Sequence, residues 1–90
     1  MSHFEDVKAC HLKFNMLVGE EPSFLTDRKM KERIDFLKEE LEELELSVRD
    51  RDLGGQADAL VDLVYVALGT AVMMGLPWQA RSEEHTSELQ

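Results

Sequence analysis

Apolar residues recur along this chain at helical spacing. Phe4, Val7, Cys10, Phe14 and Leu17 follow a Ser2/Glu5 capping-box pattern and predict a first helix to about Val18. Gly19 suits its C-terminal cap, and Pro22 bars continuation through Glu20-Glu21-Pro22-Ser23. A second helix begins at Thr26 or Asp27, and Ile34, Leu37, Leu41, Leu44 and Val48 alternate along it at spacings of four and three, one apolar seam. Asp50-Arg51-Asp52-Leu53-Gly54-Gly55 then reads as the break that reverses the chain, because paired glycines remove helix preference. From about Gln56 to Met74 almost every side chain is apolar, which predicts a third helix buried nearly all round and ended by Gly75 and Pro77. The pattern as a whole predicts an all-α antiparallel helical bundle.

The exceptions in the third helix line up. Asp58, Asp62, Tyr65 and Gly69 fall at spacings of four, three and four, a single polar stripe on a greasy surface. A buried carboxylate must pair, bind metal or take a proton. Arg49 and Arg51 lie near enough in sequence for Asp58 but have no obvious reach to Asp62. On the second helix Glu40 and Glu43 flank the seam three residues apart, and Glu39 lies four before Glu43. An acidic helix alone is usually a solvated face, and Glu42 and Glu45 are read that way. Asp58 and Asp62 change the balance, because a short loop makes the two helices antiparallel neighbours. A divalent cation shared among Glu39, Glu40, Glu43, Asp58 and Asp62 would satisfy them together, and carboxylate oxygens suit Mg²⁺ or Mn²⁺. The Asp-x-Asp at Asp50 is not a calcium loop: its glycines are misplaced, and Val61 stands where a bidentate Glu is needed.

These two segments, Glu39-Glu40-Leu41-Glu42-Glu43-Leu44 and Ala57-Asp58-Ala59-Leu60-Val61-Asp62-Leu63-Val64-Tyr65, resemble the MazG-like all-α nucleoside triphosphate pyrophosphohydrolases. Phosphoribosyl-ATP pyrophosphohydrolase and dimeric dUTPase are other branches of that superfamily. The likeness covers roughly Phe4 to Trp78. It implies hydrolysis of a nucleoside triphosphate between its α and β phosphates, with Mg²⁺ (or Mn²⁺) on Glu40, Glu43 and Asp62, and Asp58 as ligand or support. Glu39 would be a further ligand or the base, and a base, if a carboxylate serves as one, would be Glu39 or Glu40. The superfamily pattern on the second acidic helix is Glu-x-x-Asp, whereas this chain has Asp58-x-x-x-Asp62, which suits Asp62 better than Asp58. The likeness also implies a fourth helix, polar groups such as His11 and Asn15 near the cleft, and house-cleaning of noncanonical or excess dNTPs. His11 has a blander reading, a partly buried histidine hydrogen-bonded to the core, and Cys10 reads as a small core residue. Arg33 and Lys38, in the basic stretch ahead of the acidic cluster, pair with nearby acids or hold substrate phosphates. His11, Asn15, Tyr65 and Trp78 are the candidates for reading the base.

Ninety residues bound the chain to one small domain that self-association would help, as a homodimer or homotetramer. Exposed Met73, Met74, Leu76 and Trp78 are the expected contact patch. A net charge of −9 disfavours nucleic acid and anionic membranes as partners and points to cations. The single cysteine excludes an internal disulfide, and no signal-peptide pattern opens the chain, so a cytoplasmic location is expected. The run after Asp62 is too short to cross a bilayer. Arg81–Gln90 departs from the preceding pattern and matches the in-frame translation of a common sequencing adapter. The expected organisation is therefore a C-terminally truncated helical domain over 1–80, three helices of a family four, with a non-native tail over 81–90. Two rival functions remain. A non-catalytic helical interaction module would use the carboxylates for solubility alone. A di-iron bundle would need Glu-x-x-His pairs, which neither acidic helix has.

Overall fold

The computed structural model describes residues 3–89 as four helices: α1 (His3–Lys13), α2 (Asp27–Arg49), α3 (Leu53–Met74) and α4 (Trp78–Leu89). Ser2, half of the expected capping box, lies outside the described residues. The all-α bundle follows the apolar periodicity. A helix forms over 78–89, where the sequence reading placed a missing fourth helix and a tail.

Thr26 caps α2 as expected, its hydroxyl accepting the Lys29 N–H at 3.1 Å. The reversal after α2 sits earlier than the glycines. Asp50, Arg51 and Asp52 make the turn, with Arg51 in the left-handed region at φ 56°. The Asp52 carboxylate then accepts the Gly55 N–H at 2.9 Å, so α3 starts at Leu53 and takes Gly54 and Gly55 into its first turn. A good cap thus outweighs the poor helix propensity of two glycines. Across the hairpin, Ser47 meets Gln56, Glu40 meets Asp62 and Arg33 meets Thr70, an antiparallel order.

α1 stops at Lys13, short of Val18, and Asn15 takes a left-handed φ of 55°. The chain leaves the helix because the segment that follows is used elsewhere. It crosses the end of α3, where the Gly19 and Ser23 N–H groups donate to the carbonyls of Val72 (3.0 Å) and Met74 (2.9 Å). Those last-turn carbonyls have no partner within the helix. Gly75 closes α3 at φ 64°, with its own N–H on Val72 O and the Leu76 N–H on Ala71 O, both at 3.1 Å. A Cβ there would also lie 2.6 Å from the Glu21 carbonyl oxygen, so dihedral and space both demand glycine.

The core gathers at this end. Phe4 and Val7 of α1 pack on Leu68, Ala71 and Val72 of α3, and Val18, Leu76 and Trp78 close over them. Trp78 stacks on Phe4 with ring centroids 6.2 Å apart. Several expectations are corrected here. Cys10, Phe14 and Leu17 are exposed, because α1 meets α3 through Phe4, Val7 and His11 instead. Met73 is buried, and Leu76 and Trp78 pack on the core, so they are not the bare patch.

That patch lies at the opposite end. Leu60, Val61 and Val64 are each about half exposed, and Leu53 is 80 % exposed, so α3 is not buried all round in a single chain. The α2 seam divides similarly: Leu37 and Leu44 turn towards α3, while Ile34, Leu41 and Val48 stay open. By length and composition alone α3 is apolar enough to span a bilayer, yet it carries Asp58 and Asp62 and packs against two other helices.

Candidate active site

Three carboxylates converge where the covered and open parts of the hairpin meet. One oxygen from each of Glu40, Glu43 and Asp62 lies within 4.8 Å of the others. Glu40 faces α3 and is buried at 8 % exposure, whereas Glu43, one turn on, and Asp62 remain exposed. The Glu40 Oε2 is buried with no hydrogen-bond partner among the described residues. Carboxylates can hydrogen-bond one another only when one of them holds a proton. Burial first, then the charges of Glu43 and Asp62, and then the close approach of those two carboxyl groups push the Glu40 carboxyl above its ordinary range. An orphaned buried oxygen among three acids is what a hard divalent cation would satisfy, and an all-oxygen donor set suits it. The residues therefore fit a divalent metal.

Beside this cluster is a cleft of about 350 Å³ lined by His11, Met16, Arg33, Phe36, Glu40, Asp62, Tyr65 and Val66. Its volume falls within the range of small-molecule sites. The His11 ring is buried, and its Nδ1–H donates to the Leu17 carbonyl at 3.0 Å, which leaves Nε2 on the side of Gly69 and Arg33. The bland expectation for this histidine and its place beside the cleft hold together. Arg33 reaches across to α3, with Nε on Thr70 Oγ1 and Nη2 on the Val66 carbonyl, both at 3.0 Å. Burial lowers its pKa, and its guanidinium lies 5.6 Å from the Phe36 ring centre.

The sequence-selected residues divide accordingly. Glu40, Glu43, Asp62, Arg33 and His11 come together. Glu39 and Asp58 are exposed and stand outside the three-carboxylate group. Lys38 is exposed on α2, and Asn15 serves the turn after α1; neither lines the cleft. Tyr65 lines it, whereas Trp78 belongs to the core. Phe36 and Met16 were not singled out from sequence. Phe36 lies four residues before Glu40, and helical spacing alone puts it on the same face.

Comparison with known families decides the relationship. The family model for phosphoribosyl-ATP pyrophosphohydrolase matches residues 7–87. The chain belongs to that family. Membership brings a coarse activity, a pyrophosphohydrolase acting on nucleotide substrates. No curated protein matches the chain.

Proposed function

We propose that this member of the phosphoribosyl-ATP pyrophosphohydrolase family hydrolyses nucleoside triphosphates between the α and β phosphates, using one water to give a monophosphate and pyrophosphate. The observation that carries this reading is the orphaned Glu40 oxygen facing Glu43 and Asp62 beside a cleft of about 350 Å³. Glu40, Glu43 and Asp62 hold Mg²⁺, with Mn²⁺ able to replace it. When bound, the ion supplies charge neutralisation at the phosphate oxygens and acidifies a coordinated water. Glu40 is better placed than Glu39 to receive the proton of the attacking water, since Glu39 stands outside the cluster. His11 contributes a cleft wall whose Nε2 is held in position by the Leu17 bond. Asp58 acts from outside the cluster, and Lys38 and Asn15 contribute at most to the outer path of the phosphates.

The working unit is a homodimer or homotetramer in the cytoplasm, and its contact is the bare face of Ile34, Leu41, Val48, Leu53 and Leu60. Exposed apolar area of this kind on a small domain marks an interface. The biological role is removal of noncanonical or excess dNTPs. Phosphoribosyl-ATP is the second substrate to test, because the matching family model carries its name.

The test is pyrophosphate release with Mg²⁺ from canonical and modified dNTPs and from phosphoribosyl-ATP. Asp62→Asn is expected to lower turnover about a hundredfold to a thousandfold, the scale seen when a group stabilising transition-state charge is removed. Release from phosphoribosyl-ATP alone would move the substrate to that compound. No release from any substrate, with no Mg²⁺-induced rise in melting temperature, would favour the non-catalytic interaction module.

A further inference from the structure

Arg33 holds two successive turns of α3 at once. Its Nε donates to Thr70 Oγ1 and its Nη2 to the Val66 carbonyl, each at 3.0 Å, and Thr70 Oγ1 donates to the same carbonyl at 2.8 Å. Two of the guanidinium's five N–H donors are thereby committed within the protein, and no carboxylate pairs with it among the described residues. A half-buried cation bound to a hydroxyl and a backbone carbonyl gains direction more than Coulomb energy.

The spacing shows what that direction serves. Arg33 lies seven residues before Glu40 on α2, two helical turns on one face. Its anchor Val66 lies four residues after Asp62 on α3. Clamp and carboxylates are therefore consecutive rungs of one antiparallel ladder. Apolar contact through Leu37 and Leu44 is non-directional and tolerates sliding. A slip of one residue moves a helix about 1.5 Å along its axis, whereas metal sites tolerate about 0.2 Å in ligand distance. Something directional has to pin the register: on the loop side of the acids the Gln56 side chain reaches the Ser47 carbonyl with one long bond of 3.5 Å, and on the other side the Arg33 fork supplies two bonds of 3.0 Å. Gly69 makes room for it: a Cβ there would stand 2.9 Å from Arg33 Nη2 and 3.2 Å from His11 Nε2.

We propose that Arg33 is a positioning residue whose fork to Val66 and Thr70 fixes the register of α2 on α3 and so brings Glu40 and Glu43 to Asp62. This rests on the metal-site reading above. Gly69 is the second half of the device, because it lets the guanidinium lie against α3.

The test is titration of the full chain with Mn²⁺ and no nucleotide, followed by electron paramagnetic resonance, with helix content checked by circular dichroism. Arg33→Met is expected to weaken Mn²⁺ binding about tenfold or more, as changes to groups that orient metal ligands do. Arg33→Lys, which keeps the charge but not the fork, should lose binding too. Gly69→Ala leaves Arg33 in the chain and raises helix propensity, so weaker binding there cannot come from a weaker helix. It also keeps the test alive should Arg33→Met fail to fold. Unchanged Mn²⁺ affinity with a raised KM for the triphosphate would make Arg33 a phosphate contact and overturn the proposal. So would a lower melting temperature with unchanged affinity, which is a purely structural role. A wild-type chain that binds no Mn²⁺ would overturn the metal site itself and the clamp's purpose with it, a result distinct from wild-type binding that the variants match.

Discussion

The two halves of α3 both carry large apolar side chains, the first interrupted by Gln56, Asp58 and Asp62, and they differ in surroundings. From Val66 to Met73 the helix is enclosed by α1, by the crossing segment at Gly19–Ser23 and by the start of α4, and Val72 is 1 % exposed. From Leu53 to Tyr65 it has α2 on one side and little else, and Leu60, Val61 and Val64 are about half exposed. Apolar composition therefore says that a helix will be covered but not by what. The covered half is built by this chain, while the bare half stays open to solvent and is the contact face proposed above. Asp62 sits at their boundary, four residues before Val66, so the site has one packed wall and one open side.

The contrast breaks most sharply at two leucines eight residues apart. Leu68→Ala removes a buried side chain from a packed core and is expected to lower stability by about 3 kcal/mol, a typical cost for deleting buried leucine methyls. Leu60→Ala, at a half-exposed position, is expected to cost under about 1 kcal/mol in a lone chain. If the bare half is an interface, that small cost grows with protein concentration, because a partner binding only the folded state adds to apparent stability. Urea unfolding of both variants at two protein concentrations separates the cases. A Leu60→Ala loss that is small and independent of concentration would leave the bare half without its proposed partner.

A smaller effect sharpens the boundary itself. The Glu40 carboxyl is raised above its ordinary 4.5 by burial and by its two acidic neighbours. A raised value means that the folded chain holds the proton more tightly than the unfolded one. The corresponding stability is fully present below the ordinary value and is lost as pH rises through the raised one. In metal-free buffer the wild type should therefore lose melting temperature relative to Glu40→Gln, whose amide never ionises, as pH rises above the ordinary carboxyl value of 4.5. Saturating Mg²⁺ should remove that deficit in the wild type alone, since the amide is the poorer ligand. Parallel curves in metal-free buffer would mean that Glu40 titrates as a solvated acid.

Much of this was legible in the sequence, and the misses share a cause. Helical period located α2 and α3, and Gly75 marked a real stop. The stripe of Asp58, Asp62, Tyr65 and Gly69 picked out the face that carries the cleft. What periodicity could not supply was the identity of the covering element. Phe14 and Leu17 continue the apolar spacing of α1, yet the chain leaves the helix there because the α3 carbonyls draw Gly19 and Ser23 across its end. Gly54 and Gly55 look like a breaker until Asp52 caps them. The α2 seam read as one surface, but its members divide between α3 and the open side. Gly69 appeared as one more member of a polar stripe; its close approach to Arg33 and His11 exists only once three elements meet.

The smallest difference falls within that stripe and separates its two aspartates. Asp62 belongs to the cluster, whereas Asp58, one turn towards the open end, is exposed and outside it. Asp58→Asn should therefore act through the field at the site and not through a lost ligand. A unit charge a helical turn away, facing water, is well screened. The expected outcome is a fall in kcat/KM of about tenfold at most, against the far larger loss for Asp62→Asn. Raising the salt concentration should shrink the Asp58 effect and leave the Asp62 effect unchanged. Equal losses in both variants at all salt concentrations would place Asp58 on the metal, and the site would then extend a full turn into the bare half of α3.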